Sequence, residues 1–202
     1  NKDSAYNFKF PGAKVSIEKN SFYTDKIIQI FEENNLLHVD KDSIPLLKGI
    51  TIKMDISRYN DSIRNRTYIG RIGENKKSSF VSSKKEENYV IAKVNNLGDF
   101  EIKIDSIKPN ISVIDISENQ WISNRKNLSI KISDNESGIK NYRGTINDKW
   151  ILLEYNPMKG ILSYDFNDNV NKDDAKNVLE IKIEDNVGNE KKLIKTFYRK
   201  IK

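Results

Sequence analysis

Few residues in this 202-residue chain can do covalent or metal chemistry, because it contains one histidine and no cysteine. Without cysteine the chain offers no thiol nucleophile, no thiolate zinc site and no disulfide. A catalytic zinc ion usually takes two or three imidazoles, and a Ser-His-Asp site needs its histidine beside a suitable serine. The one histidine, His38, lies in the alternating pattern NLLHVD. We interpret it as a strand side chain at a surface or domain edge.

Paired carboxylates are another common catalytic feature, and adjacent acidic residues occur at 32–33, 86–87 and 173–174. Neighbouring residues of a strand point to opposite faces of the sheet. These pairs therefore do not face each other as glycoside hydrolysis requires. The sequence predicts that this segment is not an enzyme and has no cofactor of its own.

The 35 basic and 29 acidic side chains give a net charge of +6, which raises the question of a nucleic-acid partner. Many lysines are interleaved with acids, as in Glu101, Lys103 and Asp105, and this pattern is typical of a solvated face. The nearest approach to a basic cluster has wide gaps and comprises Arg58, Arg64, Arg66, Arg71, Lys76 and Lys77. We therefore expect no nucleic-acid partner. We also expect no membrane span, since no apolar run approaches the roughly 20 residues that one needs.

The elements that must position any site are strands. The chain has 29 isoleucines and 25 asparagines but only 4 alanines, which favours β-branched strands and frequent turns over helices. Apolar residues alternate with polar ones at 50–56, 100–104, 128–132 and 179–183, as in a half-buried strand. Only 57–66 and 172–176 favour helix. The pattern predicts an all-β chain built from β-sandwiches.

A domain boundary is predicted where the strand pattern at 100–104 ends and Pro109 precedes a new one. This divides the chain into residues 1–106 and 107–202, each close to the usual size of a domain. We expect two consecutive β-sandwich domains, the second immunoglobulin-like.

Acidic residues end two of the predicted strands in the second domain. Asp134 and Glu136 follow one strand, and Asp185 ends another. In an immunoglobulin-like order both loops lie at the same end of the sandwich, so their carboxylates could converge on calcium, which takes six to eight oxygen ligands. The alternative is that these side chains accept hydrogen bonds from their own loops in Asx-turns, which would position Gly138 and Gly188.

Four aromatic residues of the second domain, Tyr142, Trp150, Tyr155 and Tyr164, fall on neighbouring predicted strands. Displayed on one face, they could stack sugar rings or contact a partner. Trp150 is followed by ILL, which makes both faces apolar and favours a buried core tryptophan instead.

The second half resembles a known family in its sequence motifs. These are ISDNESGIKNYRGTINDKWILLEY at 132–155, LSYDF at 162–166, EDNVGN at 184–189 and TFY at 196–198. Together they are similar to the C-terminal immunoglobulin-like domain of lysostaphin-type (LytM-like) envelope zinc metallopeptidases of Gram-negative bacteria. The first half agrees: FPGAKVSI at 10–17, NSFY at 20–23 and the segments 39–47 and 50–59 resemble the β-sandwich that precedes that domain.

The resemblance implies the non-catalytic C-terminal region of such a peptidase. The family's zinc ligands are a histidine and an aspartate at one site and a His-x-His pair at another. With His38 alone none of them carries over, so zinc is expected only in the absent peptidase domain. The chain starts at Asn1 without a basic-then-apolar leader, and we interpret it as a processed or excised segment of a periplasmic or other exported envelope protein.

Four tripeptides look like the serine O-glycosylation pattern of some bacterial envelopes, which makes Ser4, Ser43, Ser62 and Ser106 candidate acceptors. The function expected from the resemblance is an accessory region that positions or regulates the peptidase domain at peptidoglycan or docks a partner. Its partners would be the parent peptidase domain, murein or an envelope protein. The alternatives are a stand-alone glycan-binding or adhesin module, and a structural subunit of an envelope or secretion assembly.

Overall fold

The structure is a computed structural model that describes residues 1–73, 76–168 and 175–200. It separates into two compact units, Asn1–Asp105 and Ser106–Lys202, one residue away from the boundary expected at 106/107. Strands dominate both units, and the all-β prediction is confirmed. Within the described residues, no helix has the length and apolar character needed to cross a bilayer.

The first unit is built from two five-stranded antiparallel sheets, ordered β1-β2-β5-β9-β8 and β3-β4-β10-β6-β7. Its strands are β1 (Tyr6–Lys9), β2 (Ala13–Ile17), β3 (Ile30–Glu33), β4 (Leu36–Val39), β5 (Ile50–Asp55), β6 (Thr67–Ile72), β7 (Ser78–Val81), β8 (Ser83–Glu86), β9 (Tyr89–Val94) and β10 (Gly98–Ile104). The one-turn helix α1 (Asp61–Arg64) lies in the stretch predicted to favour helix. It is capped by Asn60, whose side chain accepts a hydrogen bond from the Ile63 N–H.

The second unit pairs a four-stranded sheet, β11-β13-β17-β16, with a five-stranded sheet, β12-β19-β18-β14-β15. Its strands are β11 (Asn110–Val113), β12 (Gln120–Trp121), β13 (Asn127–Ser133), β14 (Ile139–Ile146), β15 (Lys149–Ile151), β16 (Glu154–Asn156), β17 (Ile161–Asp165), β18 (Lys176–Asp185) and β19 (Glu190–Tyr198). A 3-10 turn covers Phe166–Asp168. Of the stretch at 172–176 predicted to favour helix, residues 172–174 lie outside the described part and Lys176 begins β18.

Each core follows directly from the alternation in the sequence. In β5 the residues Ile50, Ile52 and Met54 are buried while their polar neighbours are only half-buried. The same pattern in β13 buries Leu128 and Ile130. Full burial of one such side chain stabilises the fold by about 1.5–3 kcal/mol, so strands of this pattern gain most of their stability from one face. The other face is left free to carry function.

Candidate functional site

The acidic loops of the second unit lie at the same end of the sandwich. Asp134 follows β13, Asp185 ends β18, and their carboxylate oxygens lie within 4.8 Å of each other. Asp185 is fully buried and Asp134 is half-buried. Glu136 contributes no carboxylate to this close group; its backbone N–H donates to Asp134 Oδ1 at 3.1 Å. The carboxylate ligand expected from Glu136 is therefore not placed at the site.

Both carboxylates are used to shape their own loops. Asp134 Oδ1 also accepts a hydrogen bond from the Gly138 N–H at 2.7 Å. Asp185 Oδ1 accepts from the N–H groups of Val187 and Asn189, at 3.0 and 2.8 Å, and its Oδ2 accepts from the Asn189 side-chain amide at 2.6 Å. These are the contacts of Asx-turns, the alternative to calcium that the sequence left open.

The four aromatic residues singled out in the sequence do not share one face. Tyr164 is buried, 3% exposed, and packs edge-on against Phe166 with ring centroids 5.0 Å apart. Its assignment to a binding face is wrong, because it occupies an inward position of β17 between buried neighbours. Tyr142 is partly buried against the core and contacts Tyr155, which lies on the other sheet, at 5.6 Å between ring centroids.

Trp150 is on the surface, with 56% of the residue exposed. The interpretation of Trp150 as a core tryptophan is wrong because alternation continues through the ILL run. Ile151 and Leu153 are buried and Leu152 is exposed. Trp150 lies on the edge strand β15 opposite Thr145 of β14. It therefore points out from the five-stranded sheet.

A second tryptophan, Trp121, lies on the same sheet and was not singled out in the sequence. It is 58% exposed and stacks on Tyr198, with ring centroids 5.2 Å apart and 28° between the planes. Only the two residues of β12 pair with β19, so no alternating run marks this strand. In the sequence, this exposed ring is indicated only by a single tryptophan shortly before the predicted strand at 128–132.

The register places both tryptophans on the outer face of the five-stranded sheet. Trp150 lies opposite Thr145, Thr145 opposite Glu180, and Glu180 opposite Ile194, which is 56% exposed. Tyr198, four residues further along β19 than Ile194, points the same way by the two-residue repeat of a strand. We call this surface the aromatic face; it comprises Trp121, Tyr198, Ile194, Val178 and Trp150.

Ion pairs border the aromatic face from the row of Trp150 outward, on the side away from Trp121. Lys192 Nζ lies 2.6 Å from Glu180 Oε2, and Lys182 Nζ lies 2.8 Å from Glu190 Oε1. These four residues take outward positions of β18 and β19. Hydrogen-bonding groups therefore lie beside Trp150, at one end of the aromatic face.

The chain's single histidine is tied to a neighbouring strand of the first unit. His38 Nδ1 lies 2.5 Å from Asp99 Oδ1, and its ring stacks on Phe31 at 4.7 Å between centroids. Asp99 is the cross-strand partner of His38 in the β10/β4 pair. This arrangement fits the interpretation of His38 as a strand side chain.

The four candidate O-glycosylation serines, Ser4, Ser43, Ser62 and Ser106, are all exposed. Their modification stays a prediction.

Two units of stacked β-sheets define a β-sandwich protein. The family model of the Zu5-like domain matches residues 1–105, the same residues as the first unit. The chain therefore belongs to the Zu5-like domain family.

Among solved structures, the chain is similar to the fibronectin(III)-like modules of CbhA from Clostridium thermocellum. The sequences are 9% identical, the alignment covers 87% of this chain and 95% of that chain, and the TM-score is 0.36. No curated protein matches the chain.

Proposed function

We propose that the chain is a non-catalytic accessory region of a peptidoglycan-directed zinc metallopeptidase, and that the aromatic face of its second unit binds the glycan strands of murein. The observation that carries the binding role is the exposure of Trp121 and Trp150 on one sheet face. The link to a peptidase rests on the resemblance of the sequence motifs. The protein would act in the periplasm or elsewhere in the cell envelope.

The chemistry of the aromatic face suits a sugar chain. A pyranose ring has an apolar face of C–H groups, which packs against an aromatic ring, and hydroxyls around its edge, which need hydrogen-bond partners. Trp121 and Trp150 supply two such rings, and the ion pairs Glu180–Lys192 and Lys182–Glu190 supply donors and acceptors beside Trp150.

Zinc does not fit the residues of this chain. The only histidine is held by Asp99 and Phe31 within a sheet, which supplies one imidazole where the resembled zinc centre needs several. The metal and the hydrolytic step would belong to the parent's peptidase domain. The contribution of this chain would be geometric: rigid sandwiches hold that domain at its substrate or dock a partner.

The alternative is a stand-alone glycan-binding or adhesin module, or a structural subunit of an envelope or secretion assembly. Among these alternatives, the aromatic face favours the glycan-binding module, since this face needs no second domain to bind sugar. The reading frame upstream of this segment distinguishes the two: a fused domain with a His-x-His motif supports the accessory role, and its absence supports the stand-alone module.

The binding role is tested by co-sedimentation of the chain with purified murein sacculi. We expect the wild-type chain to pellet with sacculi and Trp121→Ala and Trp150→Ala to lose most of this binding. Met158→Ala is the matched control, because Met158 is 97% exposed but lies in a turn away from the aromatic face. Equal binding by all four proteins, each shown to be folded by circular dichroism, would contradict the proposal.

A further inference from the structure

Four lysines form a row on the outer face of the β1-β2-β5-β9-β8 sheet in the first unit. In strand order, Lys9 lies opposite Lys14, Lys14 opposite Lys53, Lys53 opposite Ile91, and Ile91 opposite Lys84. Directly opposed residues point to the same face of a sheet, and neighbouring strands are about 4.8 Å apart. We call Lys9, Lys14, Lys53 and Lys84 the lysine row; it runs across the strands.

The lysine row lies in a shallow open groove. A cavity of about 1040 Å³ is lined by three lysines of the row together with Ser16 and Tyr89. An adjoining cavity of about 520 Å³ shares Lys53 and adds Lys84 and Lys93. Two glutamates, Glu86 and Glu87, also line the cavities, but five lysines outnumber them, so the two cavities form one surface of net positive charge that spans the sheet.

The positive charge of this surface is costly to the fold. Like charges directly opposite each other on adjacent strands destabilise a sheet. Within the described ranges, Lys84 is the only member of the row that forms an ion pair, and its partner Glu86 also feels the more distant charge of Lys53. Lys14 places its ammonium over the ring of Tyr89, 4.2 Å from the centroid, which is a weak contact at an exposed site. Lys9, Lys14 and Lys53 lie side by side from the edge to the centre of the sheet, where their charges repel one another. Their presence is therefore not explained by a contribution to the stability of the sheet.

We propose that the lysine row binds a linear polyuronate, an acidic polysaccharide with one carboxylate on every sugar. Successive sugars of an extended 1,4-linked chain are turned over, so the carboxylates on one side recur at about two strand spacings, roughly 9.6 Å. When the chain lies across the strands, these carboxylates meet Lys9, Lys53 and Lys84, which lie on every second strand of the sheet. An extended acidic peptide presents side chains on one face only about every 6.6 Å and falls out of step with the row.

The groove is less suited to nucleic acid. Its cations are lysines, whereas arginine is the residue that grips phosphate with two parallel hydrogen bonds. Proteins that bind single strands also offer exposed rings for base stacking. Here Tyr89 is covered by Lys14, and Phe8 packs against the core. The hydroxyls of Ser16 and Thr51, which line the groove, can instead bond the hydroxyls of a sugar.

The experiment is isothermal titration of the full chain with polygalacturonate at low ionic strength. We expect binding that weakens steeply as salt is added, because exposed charges are screened. Lys53→Gln should weaken it about fivefold, the usual effect of one exposed charge contact. The matched control is Lys103→Gln, which makes the same charge change at the centre of the other sheet and should leave the affinity unchanged.

Three results would overturn the proposal. Absence of binding to polygalacturonate, or equal binding to neutral dextran, would show that the lysine row does not bind a polyuronate. Tighter binding to poly-glutamate or to a single-stranded oligonucleotide of equal charge would assign the groove to another polymer. An equal loss of affinity in Lys53→Gln and Lys103→Gln would show that binding depends on the net charge of the protein and not on the lysine row. None of these results depends on murein binding by the aromatic face, which is measured separately.

Discussion

Trp121 and Tyr198 stack with their ring centroids 5.2 Å apart, although they come from opposite ends of the second unit's sequence. The contact joins β12, a strand of only two residues, to the end of β19 through a parallel pairing. The ring stack adds to the backbone hydrogen bonds that flank this short strand, from the Asn119 N–H to the Thr196 carbonyl and from the Ile122 N–H to the Tyr198 carbonyl, both at 2.8 Å. The same stack creates one of the two platforms of the aromatic face.

The energy of this stack can be measured by a double-mutant cycle. Trp121→Ala and Tyr198→Ala should each lower the free energy of unfolding, and the double variant should lose less than the sum, with a coupling of about 0.5–1.5 kcal/mol. Urea denaturation provides the values. Trp150→Ala combined with Tyr198→Ala is the control pair and should be additive, because two strands, β18 and β14, lie between the strands that carry these residues. A purely additive Trp121/Tyr198 cycle would mean that the stack does not anchor β12.

The lysine row predicts an unusual gain in stability on removal of a charge. Lys53 lies between Lys14 and Ile91 in register, so Lys53→Gln removes a direct like-charge contact. We expect the free energy of unfolding to rise by about 0.2–1 kcal/mol at low salt and the gain to fade in high salt. Lys103→Gln, which removes a cation 3.9 Å from Glu101, should give no such gain. If Lys53→Gln instead lowers the free energy of unfolding, the favourable contacts of Lys53 in the folded protein outweigh its repulsion from Lys14.

Much of the fold could be predicted because a strand's two-residue repeat needs no knowledge of its partners. The run from Ile50 to Ile56 shows its buried face in the sequence, and the structure buries Ile50, Ile52, Met54 and Ile56. Alternating runs mark the strands and the stretches between them mark the turns, and these two signals together predict an all-β chain.

The surfaces could not be predicted in the same way, because they depend on which strands are neighbours. Lys9, Lys14 and Lys53 are far apart in the sequence and become a row only through the register of β1, β2 and β5. Tyr164 and Trp150 were grouped as one face, yet one side chain points into the core and the other out. Residue type alone does not settle this, since an aromatic ring is stable in either place.

The Asp185 carboxylate should contribute to stability through hydrogen bonds whether or not calcium is present. Asp185→Ala removes the acceptor of three N–H contacts from Val187 and Asn189 at a fully buried position, and should cost about 1–3 kcal/mol. The loss, measured by chemical denaturation, should be the same in calcium and in EDTA. Asp134→Ala, at a half-buried position, is expected to cost less. A loss that disappears in EDTA would instead identify Asp185 as a calcium ligand.

Lys85 should make the stability of the first unit depend on pH. Lys85 is exposed as a residue, but partial desolvation of its ammonium group, and then the nearby charge of Arg66, lower its pKa from the ordinary value of 10.5. The unfolded chain therefore holds this proton to higher pH than the folded chain, and the free energy of unfolding rises with pH until about 10.5 is reached. Lys85→Met has no charge to lose and Lys85→Arg keeps its charge throughout this range. The wild-type protein should therefore gain stability relative to both variants as the pH is raised from neutral, as followed by urea denaturation at successive pH values. If the wild type instead loses stability relative to both variants over this interval, the folded state favours the charged ammonium, and the hydrogen bond from its Nζ to the Asn65 carbonyl at 3.2 Å outweighs the cost of burial.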